Sequence, residues 1–255
     1  MIRVENVSKQ FKVSKKQRKL LPEEKPGSKI DAVSEVSFEC RPGRIFSLLG
    51  ANGAGKTTML RMIATMLKPT SGTIIVNGHN VCEAPQDVRK SIGFMTGTTR
   101  LYDRLTPIEM VKYFADLHGM EHTLYEKRRD EIFNLLDMEG FAKQRIAKLS
   151  TGMRQKVSIA RTIIHDPPVV VFDEPTTGLD VITSRNIIKL IRDFKEQGKT
   201  VIFSTHIMGD VSLLSDDLAI IHRGRLIYQG TYEEFVTQIK TKSIEDEFIR
   251  IVEEA

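Results

Sequence analysis

Cysteine is scarce. Cys40 and Cys82 are the only two, and they form no C-x-x-C pair. A disulfide framework or a cysteine-built zinc site is therefore not expected, and a reducing compartment fits. Long apolar runs are missing too. None approaches the roughly 20 residues that a membrane-spanning helix needs. The opening Met1-Ile2-Arg3-Val4-Glu5-Asn6 lacks the apolar core of a signal peptide. No internal repeat and no heptad run is found, which argues against tandem or coiled-coil architectures. These absences predict a cytoplasmic protein that touches a membrane only through a partner. Excess charge is small: a net +5 suits a membrane surface or nucleic acid and is diagnostic of neither. The content of 40% hydrophobic and 28% charged residues is ordinary for a soluble globular chain. At 255 residues there is room for one large domain or two small ones.

What is present centres on Gly50-Ala51-Asn52-Gly53-Ala54-Gly55-Lys56-Thr57-Thr58, which fits G-x-x-x-x-G-K-[ST]. Ile45 to Leu49 before it reads as a short buried strand, and Met59 to Leu67 after it as a helix. In that context glycines let successive N–H groups point inward at an anion, and the helix adds its positive end. The candidate nucleotide contacts are Asn52, Gly53, Ala54, Gly55, Lys56, Thr57 and Thr58. Lys56 would reach the β- and γ-phosphates, and the Thr57 hydroxyl would bind Mg²⁺.

A second piece is Val169-Val170-Val171-Phe172, an apolar run typical of a strand buried on both faces. It leads into Asp173-Glu174. Asp173 would deliver a carboxylate to the same Mg²⁺. Glu174 would polarise an attacking water, a role worth roughly 10² to 10⁴ in rate.

Around these pieces the chain alternates strand-like and helix-like stretches. Strands are expected at 2–7, 30–39, 73–76, 91–95, 200–203, 218–221 and 226–228. Helices are expected at 106–118, 125–136, 152–165, 181–197, 231–239 and 243–252. Thr106, Pro107 and Glu109 form a helix-start pattern, and Asn77-Gly78 a hairpin turn. The alternation implies an α/β core with a parallel sheet. Residues 12–29 are rich in lysine and broken by Pro22, Pro26 and Gly27. They read as an exposed basic loop, either a solvated hairpin insertion or a contact for anionic lipid or a partner.

A third piece, Leu149-Ser150-Thr151-Gly152-Met153, stands just before a helix. Here the sequence resembles the ATP-binding cassette (ABC) ATPase family, whose signature is usually Leu-Ser-Gly-Gly-Gln. A serine and a glycine at a helix start make a second phosphate site. The resemblance implies that Ser150 and Gly152 read the γ-phosphate held by a second subunit. Thr151 and Met153 depart from the pattern but lie beside the serine. The resemblance covers nearly the whole chain. Phe11 matches the residue that stacks on adenine, Gly178-Leu179-Asp180 the dimer-contact loop, and His206 the switch histidine at the γ-phosphate. The family's glutamine after the strand at 91–95 is missing; Gly97 stands there, with Thr96 or Thr98 as a weaker oxygen ligand.

The implied fold is a P-loop NTPase (RecA-like) parallel-sheet core with an antiparallel β subdomain and an inserted α-helical subdomain. The expected division is 1–96 with 166–222 for the core, 97–165 for the helical part, and 223–255 for a closing strand and helices. The implied activity is ATP hydrolysis with ATP and Mg²⁺ as cofactors and Lys56, Glu174 and His206 as catalytic residues. The implied partners are an integral-membrane permease and a second ATPase subunit, either another copy of this chain or a paralogue, with no nucleic acid. The protein would sit peripherally on the inner face of the cell membrane. Within the family, 92–106 and 243–248 look like ATPases for sodium extrusion or simple drug export. Two alternatives stay open: a non-transport ABC ATPase acting on ribosomes or nucleic acid, and a regulatory module that binds ATP without hydrolysing it.

Overall fold

The computed structural model describes residues 1–12, 29–96 and 101–255. Most of the basic loop at 12–29, together with Gly97 and Thr98, lies outside the described residues.

Two sheets carry the architecture. The larger has the order β10-β9-β3-β8-β7-β6. It comprises β3 (Ile45–Leu49), β6 (Ile92–Thr96), β7 (Val169–Asp173), β8 (Thr200–Thr205), β9 (Asp217–His222) and β10 (Arg225–Thr231). All neighbours are parallel except the β9–β10 pair. The smaller sheet is antiparallel, in the order β2-β1-β4-β5, and is built from β1 (Ile2–Lys12), β2 (Lys29–Cys40), β4 (Ser71–Val76) and β5 (His79–Asn80).

The continuous apolar run in β7 has a direct cause. Val170 and Phe172 face one core, Val169 and Val171 the other. The strand thus buries both faces, as parallel strands under two layers do. The first core holds side chains of α3 (Pro107–Leu117), α4 (His122–Leu135), α5 (Thr151–Ile163) and α6 (Val181–Glu196). The second holds α1 (Lys56–Ile63), α2 (Pro85–Ser91) and the small sheet. A third, smaller core sits under α7 (Met208–Leu214), α8 (Tyr232–Thr237) and α9 (Ile244–Glu253).

Local signals read from the sequence reappear as bonds. Thr106 caps α3 in a full capping box: Glu109 N–H donates to Thr106 Oγ1, and Thr106 N–H to Glu109 Oε2. Asn77 and Gly78 both take positive φ, at 49° and 85°, as the hairpin turn demands. The first helix ends earlier than expected, at Ile63 rather than Leu67. Thr65 adopts φ 61°, and Met66 N–H reaches back to Arg61 O across 2.9 Å. This closes the helix as glycine usually does. Helices α2 and α7 were not anticipated.

Candidate functional site

The site lies where parallel strands β3, β7 and β8 end together. After β3 the chain turns through Gly50–Gly55 into α1. Gly55 has φ 111°, and a Cβ there would sit 2.5 Å from the Ala32 carbonyl oxygen, so no side chain is accommodated. Helix α1 starts at Lys56 with no side-chain cap and no acid in its first turn. Its end is open to an anion. Ala32, Asn52, Gly53, Gly55, Lys56, Thr57, Thr58 and Glu174 line a cleft of about 160 Å³ at this point.

Lys56 is buried, and its Nζ donates to Gly50 O at 2.7 Å and Ala51 O at 3.1 Å. Nζ also lies 3.5 Å from Glu174 Oε1. Burial pushes the lysine below its ordinary pKa, while Glu174 pulls it partly back. His206 Nδ1 lies 3.3 Å from the same Glu174 oxygen. Lys56, Glu174 and His206, which come from three separate segments, therefore meet.

Strand register builds the neighbouring oxygen cluster. Asp173 lies beside Thr96 on β6 and beside Ser204 on β8. Ser204 Oγ donates to Asp173 Oδ1 at 2.7 Å, and Thr96 Oγ1 to Oδ2 at 3.2 Å. Thr57 Oγ1, from α1, donates to Oδ1 at 3.0 Å. One carboxylate among hydroxyls is a hard-oxygen set. Mg²⁺ bound in such a set takes one or two protein ligands and completes its shell with phosphate and water. Among the described residues there is no group of three or more acids, histidines and cysteines placed to hold a metal.

Glu174 is a non-glycine residue at φ 52°, a conformation that costs energy and clusters at functional sites. Its N–H donates to Ser204 O at 3.1 Å. The next turn is held by Asp210, a buried carboxylate on α7. Thr176 Oγ1 and Thr205 Oγ1 both donate to Asp210 Oδ2, and Ile207 N–H donates to Thr205 Oγ1. This network sets the backbone on either side of His206. Sequence reading missed it, because α7 itself was missed.

Three expected site residues stand apart from this cluster. Ser150 N-caps α5, its Oγ accepting from Met153 N–H at 3.2 Å. Gly152 packs against Thr183, and Asp180 caps α6 through Ile182 and Thr183. Neither Ser150 nor Gly152 lines the phosphate-loop cleft. Phe11, near the end of β1, pairs with Ile30, carries Lys9 Nζ at 5.2 Å from its ring, and also does not line the cleft.

A family model described as ABC transporter matches residues 33–177. This chain belongs to the ABC transporter family. The cassette is 41% identical over 216 residues to the ABC transporter ATP-binding protein NatA of Bacillus subtilis, which covers 84% of this chain and 88% of that protein. It is 34% identical over 206 residues to the doxorubicin resistance ATP-binding protein DrrA of Mycobacterium tuberculosis, covering 81% and 62%. Among solved structures, an ATP binding subunit of an ABC transporter superposes with a TM-score of 0.85 at 25% identity, covering 98% of this chain and 99% of that one. A dimeric post-hydrolysis cassette, MJ0796 bound to ADP and Pi, gives a TM-score of 0.79 at 26% identity, covering 91% and 98%. The cassette is thus an ATP-binding, ATP-hydrolysing transporter subunit with a P-loop NTPase fold. Cassettes of this family dimerise and work with a membrane permease. No helix among the described residues is long and apolar enough to cross a membrane.

Proposed function

We propose that two copies of this chain close around two Mg-ATP and drive export through a separate integral-membrane permease, with no nucleic acid partner. The carrying observation is the meeting of Lys56, Glu174 and His206 beside the Thr57–Asp173 pair.

The residues of the loop from Asn52 to Thr58 bind the phosphates through their N–H groups. Lys56 leaves the carbonyls of Gly50 and Ala51 for phosphate oxygens. That frees Glu174 from its ion pair to act as base toward water, with His206 holding the γ-phosphate. Thr57 and Asp173 hold Mg²⁺, with Thr96 as a nearby hydroxyl where the family's glutamine is absent. Held by these residues, Mg²⁺ would supply charge neutralisation for phosphoryl transfer. Ser150 and Gly152 complete the site of the other copy, and Phe11 stacks on adenine. Because the γ-phosphate binds the closed dimer better than the open one, ATP drives closure and its hydrolysis reopens the pair.

The helical part, 97–165, faces the permease, which places the cassette on the inner face of the cell membrane. Supporting this, Tyr102, Tyr113 and Leu117 are exposed, and Ala64, Met66, Phe94 and Phe114 border an apolar groove of about 470 Å³ beside them. The likeness of 92–106 and 243–248 to sodium-extrusion and simple drug-export ATPases, with a doxorubicin resistance protein among the relatives, favours sodium or drug efflux as the transport class.

The test is co-purification. Tagged Glu174→Gln is expressed, membranes are solubilised gently with Mg-ATP, and companions are identified. A polytopic membrane protein is the expected companion. Ribosomes or nucleic acid with no membrane protein would overturn the proposal.

A further inference from the structure

Gln155 lies in the second turn of α5, five positions after the Ser150 cap. Its side-chain amide donates to Pro175 O across 2.9 Å and touches Met95 Sδ at 3.8 Å. Pro175 directly follows Glu174. The Glu174–Pro175 segment is therefore held from both sides. Strand β8 holds it through Ser204, which accepts from Glu174 N–H, and α5 holds it through Gln155. Glu174 keeps its left-handed φ of 52° inside this grip, and a backbone in that region persists only where its surroundings over-determine it. Met95 links the same amide to the end of β6, next to Thr96 and its bond to Asp173.

The two ends of this connection belong to different sites. Ser150 and Gly152, at the start of α5, act on nucleotide held by the other copy. Glu174 acts on nucleotide held by its own. One amide spans the short distance between them.

We propose that Gln155 is a positioning residue that makes the geometry of Glu174 depend on the seating of α5, and so couples the two ATP sites of the closed dimer. The proposal rests on the two-copy reading above. When Ser150 engages the partner's nucleotide, α5 is fixed, the Gln155–Pro175 bond is fixed with it, and Glu174 is aimed. When α5 is free, the base of its own subunit loses the backbone anchor on its α5 side.

The test uses the full chain and steady-state ATP hydrolysis across ATP concentrations. Gln155→Glu keeps the size of the side chain but presents only acceptors to the Pro175 carbonyl, so the bond is lost without a cavity. Gln155→Met keeps the length without charge and serves as the second variant. For both, kcat is expected to fall roughly tenfold while KM stays within about twofold, and cooperativity in ATP is expected to weaken. The same substitutions are then made in the Glu174→Gln background. With the base already gone, their effect on the residual rate is expected to vanish, because residues acting as one unit are not additive. An equal loss in both backgrounds, or no loss in either, overturns the coupling role and leaves the function intact. If Glu174→Gln itself turns over at the normal rate, the assignment of the base fails first, and the coupling fails with it.

Discussion

Thr57 and Asp173 meet across 3.0 Å, hydroxyl to carboxylate, although 116 positions separate them in the chain. The contact joins the first turn of α1 to the end of β7, and Ser204 on β8 completes it by donating to the same Asp173 oxygen. If this pair holds Mg²⁺, Ser204 orients a metal ligand without touching the metal. Ser204→Ala is then expected to raise the Mg²⁺ needed for half-maximal ATP turnover roughly tenfold. Asp173→Asn is expected to abolish turnover at any Mg²⁺ level. A Mg²⁺ titration of ATPase activity that is the same for Ser204→Ala and the natural chain would remove the orienting role of Ser204, and normal turnover by Asp173→Asn would remove Asp173 from the metal.

Lys56 is buried with two backbone carbonyls and one carboxylate around it. Lys56→Ala should abolish ATP binding or hydrolysis while leaving the fold intact. Equilibrium binding of a fluorescent ATP analogue together with phosphate release would check this. Normal turnover by the variant would refute the phosphate-loop assignment.

Ser150 lies at an exposed helix start, away from the phosphate-loop cleft. A long cation there should obstruct a second copy without disturbing the site within the chain. Ser150→Arg is expected to bind ATP normally but fail to form the ATP-dependent dimer. Small-angle scattering of Ser150→Arg in the Glu174→Gln background is the readout. Closure at unchanged ATP concentration would rule out the role of Ser150.

His165 carries a pH prediction. Its ring stacks on His118 with centroids 3.6 Å apart, and Nε2 lies 3.2 Å from Ile92 O. Burial, with the neighbouring His118 adding to it, lowers its pKa from 6.5 to about 4. Between those values the unfolded chain takes up a proton that the folded chain refuses. Stability is therefore full above about pH 6.5 and is lost as the pH falls toward about 4, by on the order of 3 kcal/mol. Urea unfolding at pH 7.5 and 5.0 measures it. His165→Phe, which keeps a ring against His118, should show a much flatter dependence over that window. An equal slope for both proteins would mean that another group titrates.

Much of this was legible in the sequence, for identifiable reasons. The phosphate loop and β7 each announce themselves within a few consecutive residues. One must curl around an anion; the other must bury both faces. The capping box at Thr106 is equally local. The hydroxyls around Asp173 are different. Ser204 and Thr96 come from neighbouring strands, and only the parallel register places them beside it. Thr96 was noted as an oxygen source, but Ser204 was not. Helix α7 was missed because seven residues, Met208–Leu214, are too few to establish a helical period. Its Asp210, which anchors the turns beside Glu174 and His206, was missed with it. The early end of α1 at Ile63 turns on a threonine in a position where glycine is usual.

The most direct measurement is ATP turnover and ATP binding by Glu174→Gln, made side by side with the natural chain. Glu174 stands between Lys56 and His206 in this structure. If it is the base, the variant binds ATP with unchanged affinity and its kcat falls by roughly 10² to 10⁴. An unchanged kcat would contradict the account at its centre, because the group placed to activate water would then have no part in the reaction.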